Sequence, residues 1–492
     1  MLSEPMLYLL PPLCLLVGAL IILIWDAVRA GTAMHRWAWW GALVTALAGL
    51  GTTFLLDGES STRILAVLTY DGFTAYMWRL ILVTLILVIM LGESYIRRHI
   101  QEAGLFYAIL LIFAFGALLL AACVNTVMLL LAVDLLSILG YVLTGFLHYD
   151  KRSTEAATKY LVYGSAVSAV MAFGLAWLYG LTGTTDYVGT SQALSGAWAW
   201  SSTVEIAPSA LLPVLIFVLA GFSFKIGTAP FHQWVPDAFE GAPSPVTAAL
   251  AIIPKTAGFA ALARVTMVML PDTLELGALW RWPLIAFLAA AAMLIGNLAG
   301  LWQENIKRLI AYSGIAQVGY ALLGLAIASE FGLTALLFYL TAYALAEVGV
   351  FAAITVMSDQ VGLDMIVDYR GLYHRAPALA AVLLVSVLSL FGMPGTGGFM
   401  AKLWLFTSVL ERGRIGLLVV AALNSVLSVA YYWKVIQTTF MHSDHGLEPV
   451  TIPLAPRIVL FLSMAGILAL GIYPNVVFRW TADAVQVFFG PG

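Results

Sequence analysis

The chain has 492 residues, 62% of them hydrophobic and only 10% charged, with a mean hydropathy of +0.97 and a net charge of −3. Soluble domains use roughly 45–50% apolar residues, so a water-soluble core is excluded and a polytopic membrane protein remains. The small net charge points to no nucleic-acid partner.

Mostly apolar runs of about 18 residues or more, enough to cross a bilayer as a helix, recur from end to end. They lie at 6–26, 37–56, 74–93, 104–122, 126–147, 157–181, 210–235, 243–269, 282–301, 307–328, 331–357, 377–410, 414–441 and 457–480, and define spans 1–14. The fold class expected is an all-α polytopic membrane protein of about fourteen helices, with no soluble domain between them. The start, Met-Leu-Ser-Glu-Pro, lacks a positive region and a small-residue cleavage site, so span 1 is expected to be retained. Cys14 and Cys123 both fall in apolar runs and imply neither a disulfide framework nor a metal cluster. Connections after odd-numbered spans carry most of the loop Lys and Arg, among them Arg29, Arg97, Arg98, Lys151, Arg152 and Lys307. That bias places these loops in the cytoplasm and both termini outside. The loop 182–208, on the other side, has no Lys or Arg.

Against this background a few charges stand inside the spans. An ion at mid-bilayer costs about 2.5–3.5 kcal/mol even on the mildest scale, and such groups usually line a polar pathway. In span 5, Asp134 lies nine residues after Asn125, roughly 14 Å deep in a ~30 Å core. It reads either as a fixed ion pair between helices or as a functional partner of a lysine. Lys159 in span 6 is close to Lys151 and Arg152, and alone would pass as part of the basic loop. Lys225 in span 7 and Lys255 in span 8 are deep. Burial disfavours the charged form of a lysine and a nearby carboxylate favours it; a lysine between those pulls can take and release a proton. His232 follows Lys225 and suits proton passage. In spans 10 and 11, Gln317 and Glu347 are polar, the latter paired with either Lys255 or Lys402. Lys402 in span 12 is about 14 Å inward of Glu411, Arg412 and Arg414, too deep for simple snorkelling. Lys434 in span 13 can snorkel, and Arg79 and Arg264 read as anchors near span ends.

Short matches recur in order. Gly140-Tyr141 with Gly145 matches Gly319-Tyr320 with Gly324, an offset of 179 (319 − 140), and Tyr160-Leu161 matches Tyr339-Leu340 at the same offset. Gly227-Thr228 with Phe231 matches Gly395-Thr396 with Phe399, offset 168 (395 − 227). The expected organisation is a three-helix segment at 1–103, a five-helix repeat at 104–269, a second at 270–441, and a terminal helix at 442–492. Five is odd, so the copies are inverted, as in transporters with mid-depth sites on broken helices. Lys225-Ile-Gly227-Thr-Ala-Pro230 and Pro394-Gly395-Thr396-Gly397-Gly398 mark breaks in spans 7 and 12. No Gly-rich nucleotide loop, Cys pair or His pair provides for electron transfer.

The stretch from Phe222 to Ala248, containing Lys225-Ile-Gly-Thr-Ala-Pro-Phe-His232-Gln-Trp234 and Glu240-Gly-Ala-Pro243, closely resembles the antiporter-like subunits of respiratory complex I. With Pro254-Lys255-Thr-Ala-Gly-Phe259 it is more similar to subunit N (chain 2) than to its relatives L and M. The resemblance implies a proton-translocating membrane-arm subunit of NADH–quinone oxidoreductase in a bacterial plasma membrane, beside M-like and K-like neighbours. It implies no cofactor in this chain; NADH, FMN, iron–sulfur clusters and quinone belong to partner subunits. It assigns proton translocation to Asp134, Lys159, Lys225, His232, Lys255 and Lys402, and Glu347 joins them as an additional acid. The chain departs from the family in carrying Asp134 for a usual Glu, Gln317 for a usual His, and Glu347 where the family is uncharged. The alternatives are a subunit of a cation/proton antiporter or membrane-bound hydrogenase of the same superfamily, and a non-pumping scaffold.

Overall fold

The computed structural model describes residues 4–28, 34–56, 61–195, 208–270, 281–362, 364–441 and 449–490. Arg29 and residues 196–207 of the long loop lie outside the described residues. Twelve of the described helices are long and apolar enough to cross a membrane. The chain is thus an integral, multi-pass helical membrane protein.

Spans begin where a side chain can take up the first free amides. Asp71 caps span 3 (Gly72–His99) by accepting from Thr74 N at 2.8 Å. Asn125 does the same for span 5 (Thr126–Thr144), Asp150 for span 6 (Lys151–Thr182), Asn305 for span 10 (Ile306–Ile327) and Ser329 for span 11 (Glu330–Val361). These caps sit outside apolar runs, which is why the run boundaries were legible. One short antiparallel hairpin, β1 (Thr62–Ile64) and β2 (Leu68–Tyr70), pairs Thr62 with Tyr70 and precedes span 3.

Three spans form the centre. Span 8 (Ser244–Arg264, then a π-helical turn Val265–Met269), span 10 and span 11 are buried almost throughout their apolar windows. Spans 1 (Leu10–Val28), 2 (Met34–Leu55), 6 and 13 (Ile415–Met441) are only about a third buried and form the outer ring. Span 8 packs on spans 3, 4 (Ala103–Ala122) and 11, while span 10 packs on span 9 (Ala286–Gly300), span 11 and both broken spans. The buried polar groups of spans 8, 10 and 11, Lys255, Gln317 and Glu347 among them, therefore meet protein.

Spans 7 and 12 are each two helices. Span 7 is Pro208–Ile226 and Trp234–Gly241; span 12 is Pro377–Phe391 and Gly397–Glu411. The first halves end at Gly227 and Gly392, whose φ values of 74° and 94° a side chain would resist. Span 14 needs correcting: its helix ends at Ile472 rather than continuing to 480, and a separate helix, Asn475–Val485, follows Pro474. Pro474 cannot donate into the preceding turn, and the second helix carries Arg479 and Asp483 on its exposed side.

Arg264 also departs from expectation. It is not a surface anchor but lies buried, donating to Asp71 Oδ1 at 2.7 Å and Thr74 Oγ1 at 2.6 Å. Its guanidinium is flanked by the rings of Phe73 and Phe488. The pair fastens the end of span 8 to the cap of span 3. Removing one partner of a buried pair costs about 3–5 kcal/mol, whereas removing both is far milder. Arg264→Met is expected to lower the thermal unfolding temperature of the detergent-solubilised protein sharply. The double variant with Asp71→Asn should recover part of that loss; strict additivity would show that the pair is not coupled.

Candidate functional site

Lys225, Lys255 and Lys402 are all nearly inaccessible, at 1%, 3% and 4% exposure. Among the described residues none has a carboxylate within ion-pair distance; each ammonium is held by neutral oxygens or aromatic faces instead.

Lys225 sits in the last turn of the first half of span 7 and reaches across to span 5. It donates to Ser137 Oγ at 2.9 Å and to the Val133 carbonyl at 3.4 Å. Asp134 is the neighbour of Val133 but turns away and accepts a short hydrogen bond from Ser168 of span 6. Asp134 and Lys225 are thus neighbours through one helix: the ammonium grips the backbone beside the acid. Asp134 is half-buried, on a face toward the outer ring. In the break, the Phe224 carbonyl is taken by Trp234 Nε1 at 3.1 Å, and His232 is half-buried with no partner for Nδ1.

Lys255 lies in the buried middle of span 8, just after Pro254. It donates to the Tyr343 hydroxyl at 2.8 Å and stands 5.8 Å from the centre of the Phe239 ring. One turn further along span 11 is Glu347, fully buried, neither carboxylate oxygen having a hydrogen-bond partner. The opening between them is made by Gly314 of span 10. A Cβ on Gly314 would lie 2.7 Å from Lys255 Nζ, 3.2 Å from Tyr343 Oη and 4.0 Å from Glu347 Oε1. Glu347 thus belongs with Lys255, which the sequence left open between Lys255 and Lys402.

Lys402 starts from the second half of span 12 and turns back to the end of the first half. It donates to the carbonyls of Leu390 at 2.9 Å and Phe391 at 3.1 Å, with Ser425 Oγ of span 13 at 3.4 Å. Those carbonyls are ones the break leaves without amide partners, and an ammonium at a helix C-terminus also faces the negative end of its dipole. The Tyr320 ring lies 4.3 Å from the nitrogen.

Between Lys255 and Lys402 the protein supplies a run of hydrogen-bonding groups. Gln317 Nε2 donates to the Leu390 carbonyl at 2.7 Å, the carbonyl that Lys402 also uses. Gln317 accepts a short bond from Tyr339 and lies 3.3 Å from Tyr432, which shares a short bond with Ser313. A cavity of about 10 Å³ bordered by Gln317, Tyr339, Tyr343 and Lys402 is at the lower limit for one water. Tyr339, Tyr343 and Glu347 recur every four residues, a polar stripe on one face of span 11. Ser313 and Gln317 repeat that spacing on span 10. The stripes were readable, but singly placed tyrosines pass for ordinary core residues.

Lys159 is placed differently. It is 44% exposed and pairs with Glu155 at 2.8 Å and Asp237 at 3.0 Å. Asp237, in the second half of span 7, also receives Arg308 of span 10 at 2.7 Å. This network is at the surface and does not touch the three buried lysines. Lys434 donates to the Gln303 carbonyl at 3.1 Å, at the end of span 9, as a snorkelling side chain would. Among the described residues no group of His, Cys, Asp and Glu is disposed to hold a metal.

Broken spans facing a buried ladder of lysines, hydroxyls and one acid define a transporter-like membrane protein. The sequence model described as "NADH:quinone oxidoreductase/Mrp antiporter, TM" matches residues 123–428. NADH-quinone oxidoreductase subunit N 2 of Symbiobacterium thermophilum is 37% identical over 501 residues, covering 97% of this chain and 96% of that protein. NADH-quinone oxidoreductase subunit N of Anaeromyxobacter sp. is 34% identical, covering 98% and 96%. A chain of respiratory complex I from Thermus thermophilus superposes with a TM-score of 0.79 at 28% identity, over 96% of this chain and 99% of that one. The fold is also that of a chain in the Mrp complex from Dietzia sp., with a TM-score of 0.81 at 20% identity over 100% and 98%. The chain belongs to the NADH:quinone oxidoreductase/Mrp antiporter membrane family, in its NADH-quinone oxidoreductase subunit N branch.

Filling the Gly314 opening tests the geometry. Gly314→Ala is expected to destabilise by about 1–3 kcal/mol through overpacking, because its methyl meets the Lys255 ammonium. Combined with Lys255→Ala, much of that penalty should vanish, read as a coupling in thermal unfolding. Equal penalties in both backgrounds would mean that the clash lies elsewhere.

Proposed function

We propose that this chain is a proton-translocating membrane-arm subunit of an NADH–quinone oxidoreductase, its protons moving along Lys225, Lys255 and Lys402 while electron transfer occurs in partner subunits. The observation that carries the reading is the buried ladder: three lysines, each solvated by oxygen or held against aromatic rings, with hydroxyl and amide groups between the second and third. A neutral amine and an ammonium differ by one donor, so each rung can change protonation by remaking one hydrogen bond. Hydrogen bonds to charged groups contribute about 1.5–3 kcal/mol. Moving one charge against 100 mV costs about 2.3 kcal/mol. The two are of the same size, so switching one bond at a lysine is enough to gate one proton.

In this reading Asp134 biases Lys225 from beside it. Glu347 biases Lys255 through the Gly314 opening, and Lys402 is the last rung. His232 in the break and Lys159 at the surface serve uptake, Lys159 from the side expected to be cytoplasmic. Gln317 does not titrate; Tyr339, Tyr432 and a water would carry the proton past it by reorienting. The M-like and K-like subunits are the expected neighbours, the bacterial plasma membrane the expected location, with both termini outside. Spans 4–8 and 9–13 form the two inverted repeats, and positive φ at both Gly227 and Gly395 supports that pairing. The Mrp-like reading shares the fold; the 34–37% identities with subunit N relatives favour the first.

Lys225→Ala, made in the native membrane and scored per assembled complex, is expected to reduce protons pumped per NADH oxidised. Unchanged stoichiometry would overturn the role of Lys225. Glu347→Gln is expected to slow pumping-coupled turnover about tenfold or more, with Glu347→Asp retaining more of the rate. If Glu347→Gln lowers the amount of complex but not turnover per complex, the scaffold reading holds.

A further inference from the structure

The structure contains a second feature that the lysine ladder does not use. A groove of about 1410 Å³ opens between spans 3 and 11 on the hairpin side of the membrane. Small-molecule pockets are usually about 300–1,000 Å³, so this one is large. One wall is a face of span 3 with Tyr76, Leu80, Val83 and Leu87 at intervals of three and four residues. The opposite wall is small and apolar, with Ala344 and Val348 of span 11, and the helix Asn475–Val485 brings Trp480 to the rim. The Tyr76 hydroxyl is satisfied by Thr341 Oγ1 at 2.6 Å, so the wall offers no free hydroxyl to an occupant there.

Three charged residues border this apolar space, Asp71, Arg79 and Asp483, and Arg79 is the cation among them. Arg79 is half-buried and has no carboxylate partner among the described residues. Its guanidinium is turned toward the end of span 2, where Nη2 donates to the Thr53 carbonyl at 2.8 Å and the Phe54 ring lies 4.5 Å away. Thr53 is two residues from the last residue of span 2, Leu55, so the charge is held near the membrane interface. Asp71, also at the groove, is already committed to Arg264. From Arg79, span 3 continues eight residues to Leu87, about 12 Å of helix. That is close to half of a ~30 Å hydrocarbon core. The groove therefore has a cation at headgroup level and an apolar trough one leaflet deep.

We propose that this groove binds one membrane phospholipid, its phosphate on Arg79 and an acyl chain laid along span 3 against Ala344 and Val348. The guanidinium keeps a donor, Nη1, that has no acceptor among the described residues, and phosphate oxygens are the acceptors that a membrane offers at that level. The chain replaces an unfilled trough with packed methylenes, and the headgroup removes the unpaired charge.

The test uses the assembled complex reconstituted with diazirine-bearing phosphatidylglycerol, the photolabel being on the acyl chain. Labelled peptides are mapped by mass spectrometry, and diazirine diacylglycerol serves as the headgroup-free arm. Phosphatidylglycerol is expected to label residues on the facing walls of spans 3 and 11, and unlabelled phosphatidylglycerol to compete. Arg79→Gln should cut that labelling about tenfold or more, and Arg79→Lys should retain a larger share. Ala344→Leu leaves the charge intact but fills the trough, and should abolish labelling even if Arg79 variants assemble poorly. Equal labelling by diacylglycerol would overturn the headgroup assignment. No labelling of the wild-type walls would overturn the site altogether and indicate that a neighbouring polypeptide closes the groove.

Discussion

An ammonium taken out of water must be re-solvated by oxygen, and in a bilayer core only protein can provide it. Much of the architecture follows from that demand. A continuous helix spends its carbonyls on its own amides and lends only a second lone pair. A broken helix exposes carbonyls at its end, and Lys402 uses two of them. Lys225, at its own break, draws instead on the hydroxyl of Ser137 and the Val133 carbonyl of span 5. Lys255 has no break within reach and takes a tyrosine hydroxyl. Three solutions to one problem explain why Ser137, Tyr343 and Ser425 face inward from spans 5, 11 and 13.

The same economy appears at the ends of the spans. Asp71 serves twice, as the cap of span 3 and as the partner of Arg264. Asp237 joins Lys159 of span 6 to Arg308 of span 10, so the second half of span 7 is tied to both sides of the molecule. The buried central spans have ionic contacts within the protein at their rims, through Arg264 on span 8 and Arg308 on span 10. The inner polar groups are thus kept from the lipid, which would otherwise force them to be lost.

Much of this was legible in the sequence because lipid makes apolar length and single charges conspicuous. The spans, the two breaks and the deep lysines all announce themselves by composition. Arg264 misled because distance along the sequence from a span end says nothing of what packs there; its partner, Asp71, is 193 residues away. The end of span 14 misled because Tyr473-Pro474 interrupts a run that remains apolar on both sides. The partner of Glu347 depended on Gly314, a residue defined by the side chain it lacks. The tyrosines of spans 11 and 13 carry the polar connection, yet each is also a normal core residue. Only their regular spacing distinguished them.

The position of Lys402 has a consequence for how the second break can behave. An ammonium has three N–H donors and the side chain faces three oxygens, those of Leu390, Phe391 and Ser425. When the proton leaves, the two carbonyls keep other donors, Gln317 Nε2 for Leu390 at 2.7 Å and Ser425 Oγ for Phe391 at 3.2 Å. Lys225 faces only two oxygens and can give up its proton without leaving either bare. The two lysines are alike in this respect, because the Ser137 hydroxyl also donates to the Val133 carbonyl, at 2.7 Å. The end of the first half of span 12 is thereby fastened to spans 10 and 13 by side chains whose hold does not depend on the charge of the lysine.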